Sequence, residues 1–289
     1  MSFYLPIRLP VFWEETRRRL RGGRGFVVLS AYLLALLVLL LALIVAQPPG
    51  GPETWAEFGR KLWQAFYYGQ IIVMFLIAPG LTASAISAER EHGSLDMLFL
   101  TRQTTFSLVM GKFLGAVTQM LVVILSGLPV IAIVFFYGGV SPIEVVKGYL
   151  VILLISLFYA SLGFLASCLF KRIAVAVAWA YGFLLIHVIG FPLAIFSLAF
   201  LWLGTLEGHD QLMLHLTGPL ELLLAYAYGD QDFSYWHAVA GILIQIVVVL
   251  AGCVLLMRRA RGASALHLQP VSPAIARRLS QSGRGSMAG

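Results

Sequence analysis

Four consecutive ionisable residues, Glu89, Arg90, Glu91 and His92, open a polar island at 87–112 that reads SAEREHGSLDMLFLTRQTTFSLVMGK. They follow directly on the apolar run 66–86, so they lie where that segment leaves lipid. Gly93 then permits a sharp change of direction. Ser94 can cap a new short helix, because its hydroxyl can accept a bond from an orphan backbone N–H, and Asp96 suits the positive helix start. Leu95, Leu98 and Phe99 recur at i, i+3 and i+4, which predicts one apolar face. A short apolar helix outside the membrane needs a surface to dock against. The chemistry expected of the island is recognition.

The elements that must hold this island are membrane spans. Sixty per cent of the 289 residues are apolar and 11 % are charged, against about 25 % charged in a typical soluble domain. Six runs, 26–46, 66–86, 113–137, 148–170, 173–203 and 238–257, contain no Lys, Arg, Asp or Glu. Runs of about 20 apolar residues can cross a bilayer core of about 30 Å. The fifth is too long for one straight span, and Phe191-Pro192 predicts a break, since proline removes a helix hydrogen bond. The apolar piece 216–228 is too short to cross and is expected at the interface.

Basic residues set the expected orientation. The arm before the first run, the island, the pair Lys171-Arg172 and the tail after Met257 hold 17 Lys and Arg, against 3 in the alternate connections. By the positive-inside rule both termini and the island are cytoplasmic. The connection 204–236, with five carboxylates and no Lys or Arg, agrees. The net charge of +7 then reflects topology and anionic-lipid contact, and no nucleic-acid partner is expected. In the arm, Leu9, Trp13, Thr16 and Leu20 share a helical face while Arg17, Arg18 and Arg21 lie away from it. A basic amphipathic helix with Trp on its apolar side lies in the membrane interface; a plain basic patch that fixes topology is the alternative. The first apolar run, at about 21 residues, exceeds the 7–15 of a signal-peptide core.

The string Glu89-Arg90-Glu91-His92-Gly93-Ser94-Leu95-Asp96-Met97-Leu98, followed by Gly111-Lys112, resembles the first cytoplasmic loop of ABC-2-type permeases, the membrane subunits of one class of ABC exporters. In that family the loop carries the coupling helix that meets the ATPase. The resemblance implies that Glu89, Arg90, Glu91, Gly93, Ser94, Leu95, Leu98 and Phe99 couple to an ATPase. It also implies that Trp13, Arg17, Arg18 and Leu20 belong to an elbow helix before the first span. A weaker match is Ser161-Leu162-Gly163-Phe164-Leu165-Ala166-Ser167-Cys168-Leu169-Phe170-Lys171-Arg172, in which small residues precede a short basic turn; small residues also permit close helix contact in lipid.

No GxxxxGK[ST] phosphate loop occurs, and the cytoplasmic pieces are too small for a nucleotide-binding domain. The chain is therefore expected to be no enzyme and to carry no cofactor. ATP and Mg would be bound by a partner ATPase in two copies, beside a second permease subunit, the same or different. A secondary transporter is the main alternative; it normally needs ionisable groups at membrane depth, and His187 alone qualifies. A CAAX-type intramembrane protease is a further one, since EExxxR and FxxxH occur as Glu14-Glu15…Arg19 and Phe183…His187. Its carboxylates would have to sit inside the bundle, whereas Glu14 and Glu15 precede the first run.

Gln70, Gln119, His187 and Gln245 are rare polar groups within runs and must face protein or a wet cavity. Gln70, Gln119 and His187 are candidates to line a substrate path, with interhelical hydrogen bonding the blander expectation. His209, His215 and His237, with Glu207 and Asp210, match no metal-ligand spacing, so no metal site is expected. Cys168 and Cys253 are expected to pack as small apolar residues without forming a disulfide. The expected fold is all-α and polytopic. It comprises an N-terminal amphipathic elbow segment (1–25), a six-helix transmembrane domain (26–257) with its coupling helix, and a basic, disordered tail (258–289). The expected location is the cytoplasmic membrane.

Overall fold

The computed structural model describes residues 16–17, 23–45, 52–95, 97, 104–190 and 232–267, and every regular element among them is helical. In chain order these are α1 (Gly23–Val45), α2 (Pro52–Ala83), α3 (Ser87–Glu91), α4 (Thr105–Leu125), α5 (Leu128–Tyr137), α6 (Pro142–Leu169), α7 (Ile173–Leu185) and α8 (Asp232–His267). A π-helical turn, Ile186–Gly190, continues α7. Four stretches are long and apolar enough to cross a membrane: Trp55–Glu91, Thr105–Tyr137, Pro142–Leu169 and Val239–Gly262. Two shorter apolar stretches, Leu29–Ala42 and Ile173–Ile189, belong to the first and fifth expected runs. Residues 191–203 of the fifth run, the interfacial piece 216–228 and the tail beyond 267 lie outside the described residues.

The hub of the bundle is α6. Of its apolar window 72 % is buried, against 50 % for Trp55–Glu91, 33 % for Thr105–Tyr137 and 28 % for Val239–Gly262. Its largest interface is with α2, followed by α8 and α7. A helix surrounded by others has no polar stripe, which is why α6 is apolar on all sides. Its start is fixed locally. The Ser141 hydroxyl accepts from the Glu144 N–H at 3.2 Å, the Glu144 carboxylate accepts from the Ser141 N–H at 3.5 Å, and Pro142 takes the first turn. These together form a capping box with proline where no N–H is required.

The apolar run 113–137 predicts one unbroken span; the observed stretch ends at Tyr137 as expected but differs at its start and in its middle. It begins at Thr105, capped by Thr104, whose hydroxyl accepts from the Ser107 N–H at 3.2 Å. It is interrupted at Ser126 and Gly127, after which α5 starts. Pro129 explains the interruption, since it has no N–H to return to the Leu125 carbonyl.

α2 and α6 come close together at Gly163. A Cβ there would lie 2.6 Å from the Pro79 carbonyl oxygen and 2.5 Å from the Thr82 hydroxyl oxygen. The Thr82 hydroxyl is already engaged with the Ala78 carbonyl at 3.1 Å and the Pro79 carbonyl at 3.3 Å. Gly163→Val is therefore expected to wedge the two helices apart at a cost of about 1–3 kcal/mol. The detergent-solubilised variant should lose its monodisperse size-exclusion peak at a lower temperature than wild type; an unchanged profile would mean that the approach carries no stability.

Candidate functional site

The polar island begins as a break at the end of α2. Residues 84–86 form a turn, and the N–H groups of Ile86 and Ser87, which open α3, have no helical acceptor. Both donate to the hydroxyl of Ser167 on α6, at 2.7 and 2.9 Å. An orphan helix start in an apolar bundle is costly, and a hydroxyl from a neighbouring helix meets that demand. Ser87 returns its own hydroxyl to the Ala83 carbonyl at 2.7 Å.

The far end of α3 is closed by Gly93. Its φ of 69° is left-handed, the Ser94 N–H reaches the Glu89 carbonyl at 2.9 Å and the Gly93 N–H reaches the Arg90 carbonyl at 3.2 Å. This is a Schellman motif, for which glycine is the preferred residue. The expected change of direction at Gly93 is thus present, and its bonding explains it. His92 is exposed, with Nδ1 2.6 Å from the Ala88 carbonyl.

Held between these two caps, three successive charged residues each reach a different helix. The Glu89 carboxylate accepts from Lys112 Nζ of α4 at 3.0 Å, with the two side chains 18 % and 4 % exposed. Glu89 also accepts from the Ser94 hydroxyl. Arg90 donates to the Met257 sulfur of α8 at 3.6 Å. Glu91 accepts from the Ile173 N–H at 2.8 Å and so caps α7, whose own N-cap residue, Arg172, makes no side-chain cap bond. A carboxylate also complements the positive start of that helix. One tight turn thereby grips α4, α7 and α8, while Ser167 grips it from α6.

Of the residues expected to couple, Glu89, Arg90, Glu91, Gly93 and Ser94 meet in this knot. Leu95 is half-buried and packs on the core, so its side chain faces the bundle. Met97 is exposed, at 73 %. Leu98 and Phe99, like Trp13, Arg18 and Leu20 of the expected elbow, lie outside the described residues. Within the expected elbow segment the described residues are Thr16 and Arg17, both helical, the first buried and the second exposed.

The candidate path residues do not converge. Gln70 is fully buried and accepts from Tyr32 of α1, while its side-chain nitrogen has no partner among the described residues. His187 lies half-buried in the π turn, its Nδ1 3.1 Å from the Tyr159 hydroxyl and its ring 5.3 Å from that of Phe158. Gln70 sits beside the Phe66 turn of α2, which stacks on Tyr149; Tyr159 lies ten residues further along α6, about 15 Å. Gln119 is half-buried on α4.

Lys112 and Ser167 stand in strings that carry the family resemblance, but the sequence assigns no role of their own to them or to Met257. Lys112 was read as a loop residue ahead of a span starting at 113, whereas it lies two turns inside α4. The Thr104 cap was the available signal: starting the helix there puts Lys112 among Leu108, Val109 and Ala116, all buried. Against protein-family models the chain matches none, and it matches no curated protein.

A buried ion pair is expensive to break from one side, because the remaining charge keeps its desolvation penalty. Lys112→Met alone should cost about 3–5 kcal/mol, and adding Glu89→Gln should recover most of the loss. Melting of purified single and double variants, followed by intrinsic fluorescence, measures the coupling. Additive losses would mean that the pair is not energetically joined.

Proposed function

We propose that this chain is the membrane subunit of an ATP-driven exporter of the ABC-2 type, with six spans and both termini cytoplasmic. It would provide the translocation path and take its energy from a separate ATPase. The observation that carries this is the knot: the same turn whose residues resemble a coupling loop is tied by Glu89, Arg90 and Glu91 to α4, α8 and α7. A force applied to the turn reaches three helices through directional bonds, as a coupling element requires. The exposed Met97, together with Leu98 and Phe99, would form the apolar surface that seats in the ATPase. Two copies of the ATPase and a second permease subunit complete the assembly, and alternating access is the mechanism that the family resemblance implies.

The purified chain should hydrolyse no ATP, and activity should appear only in complex with its ATPase subunit. Leu98→Asp would place an unpaired charge in the docking surface, at a cost of several kcal/mol. At matched membrane levels it should lose the ATPase in pull-down while the bundle remains protease-resistant. ATP hydrolysis by the isolated chain, or full retention of the ATPase by Leu98→Asp, would remove the coupling role.

Orientation has its own test. With Cys168 and Cys253 replaced, a cysteine at Asp210 should be labelled by an impermeant thiol reagent in intact cells, and one at Ser282 should be shielded. The opposite pattern would put the knot on the outer face and sever it from any ATPase.

A further inference from the structure

At the knot end of the bundle α4 and α8 leave a groove of about 470 Å³ between them, a volume usual for ligand sites. Phe106 and Met110 of α4 form one wall, and Val247, Leu250 and Val254 run along α8. The α8 spacings of three and four continue to Arg258, which puts all four residues on one face of that helix. The face is apolar until it ends in a charge. From Val247 to Arg258 the helix axis rises about 16 Å, and one leaflet of a bilayer core of about 30 Å is about 15 Å thick. Val254 is buried and Leu250 half-buried, whereas Phe106 and Val247 are exposed. The groove thus has an apolar floor and opens outward, on surface that faces lipid in a membrane-embedded bundle. Its mouth is positive. Arg258 lines it, Arg261 follows one turn later on the same face, and Phe106 stands in the first turn of α4, where a helix carries partial positive charge. No carboxylate occurs on α4, and α8 has only Asp232, at its opposite end. In the knot, Glu89 is matched by Lys112.

We infer that this groove binds an anionic phospholipid, with one acyl chain lying between α4 and α8 and the phosphate held by Arg258. The dimensions agree: a chain that spans one leaflet fills the groove from Val247 outward and brings its phosphate to the level of Arg258. A guanidinium offers a phosphate two parallel N–H donors, which fixes the headgroup as well as attracting it. A zwitterionic lipid would fill the same apolar floor but would bring a positive headgroup charge to a positive mouth. The site rests on the membrane-embedded fold and not on the exporter reading.

The test uses the full chain, delipidated in mild detergent and titrated with phosphatidylglycerol or with phosphatidylcholine of the same acyl chains, with bound lipid counted by native mass spectrometry. One phosphatidylglycerol per chain should bind about fivefold more tightly than phosphatidylcholine, the worth of one arginine beside anionic lipid. Arg258→Gln should abolish that preference. Arg259→Gln removes the same charge from an exposed neighbour off the stripe and should keep it. Ala251 lines the groove and is exposed, so Ala251→Trp fills the groove without entering the core; it should displace both lipids while the lipid-free chain melts as wild type does. Equal affinity for the two lipids would overturn the site, as would equal losses in Arg258→Gln and Arg259→Gln. So would displacement of phosphatidylglycerol by soluble glycerol phosphate, which would leave only an anion patch. A wild-type dimer that Ala251→Trp dissociates would give the groove to a second copy of the chain and overturn it too.

Discussion

A carboxylate and an ammonium group that meet, largely buried, at one end of an apolar bundle constrain what is built around them. Each ion loses several kcal/mol of hydration on burial, and the pair is tolerable only when its geometry is good and the spare lone pairs are used. Glu89 meets both conditions. It holds Lys112 at 3.0 Å and accepts a second bond from Ser94. That second bond exists because Gly93 turns the chain back on itself, so the Schellman turn and the ion pair specify each other. Lys112 in turn fixes the rotation of α4, since its side chain must emerge on the face that carries Leu108, Val109 and Phe113 into the core.

The neighbours of α3 are determined by the same need to leave no polar group without a partner in lipid. Its first N–H groups find Ser167, which requires α6 to pass within hydrogen-bond distance, and Gly163 one turn earlier is what permits the approach. The first N–H of α7 finds Glu91, which anchors the start of that helix on α3. Arg90 is the longest of the three and reaches α8, whose apolar window is the least buried of the four long stretches. The order of the charges along α3 therefore maps onto the arrangement of helices around it.

Composition made the membrane class and the helical fold legible, because apolar runs without charge leave little else possible. The turn at Gly93 was also legible, as glycine following a charged helix end has one common use. Partners contributed by other segments were not. Nothing local to Ser167 or Met257 signals that residues some 80 and 167 positions away will bond to them. Lys112 was misread because hydropathy marks where apolar residues begin, whereas a helix begins at its cap, here Thr104. The break at Ser126 and Gly127 was hidden for a related reason: Pro129 interrupts the backbone without interrupting the apolarity. Leu95 belonged by spacing to an outward face, yet the tight turn at Gly93 points it at the core, a consequence of backbone direction that periodicity alone does not contain.

The opposite end of the bundle is held by different forces. There Tyr137 of α5 meets Phe58 and Trp55 of α2 edge-on, at ring separations of 5.0 and 6.2 Å. Arg60 adds one long bond, 3.4 Å, to the Gly139 carbonyl. Aromatic pairs are worth about 0.5–1.5 kcal/mol each beyond their buried area and tolerate a range of offsets, whereas breaking the buried pair at the knot from one side costs about 3–5 kcal/mol. Backbone also comes close at that end: a Cβ on Gly59 would lie 2.1 Å from the Gly138 carbonyl oxygen and one on Gly139 would lie 1.9 Å from the Ala56 carbonyl oxygen. The two ends of the bundle are thus held in different ways, one by polar bonds that converge on a single turn, the other by ring contacts and close backbone packing.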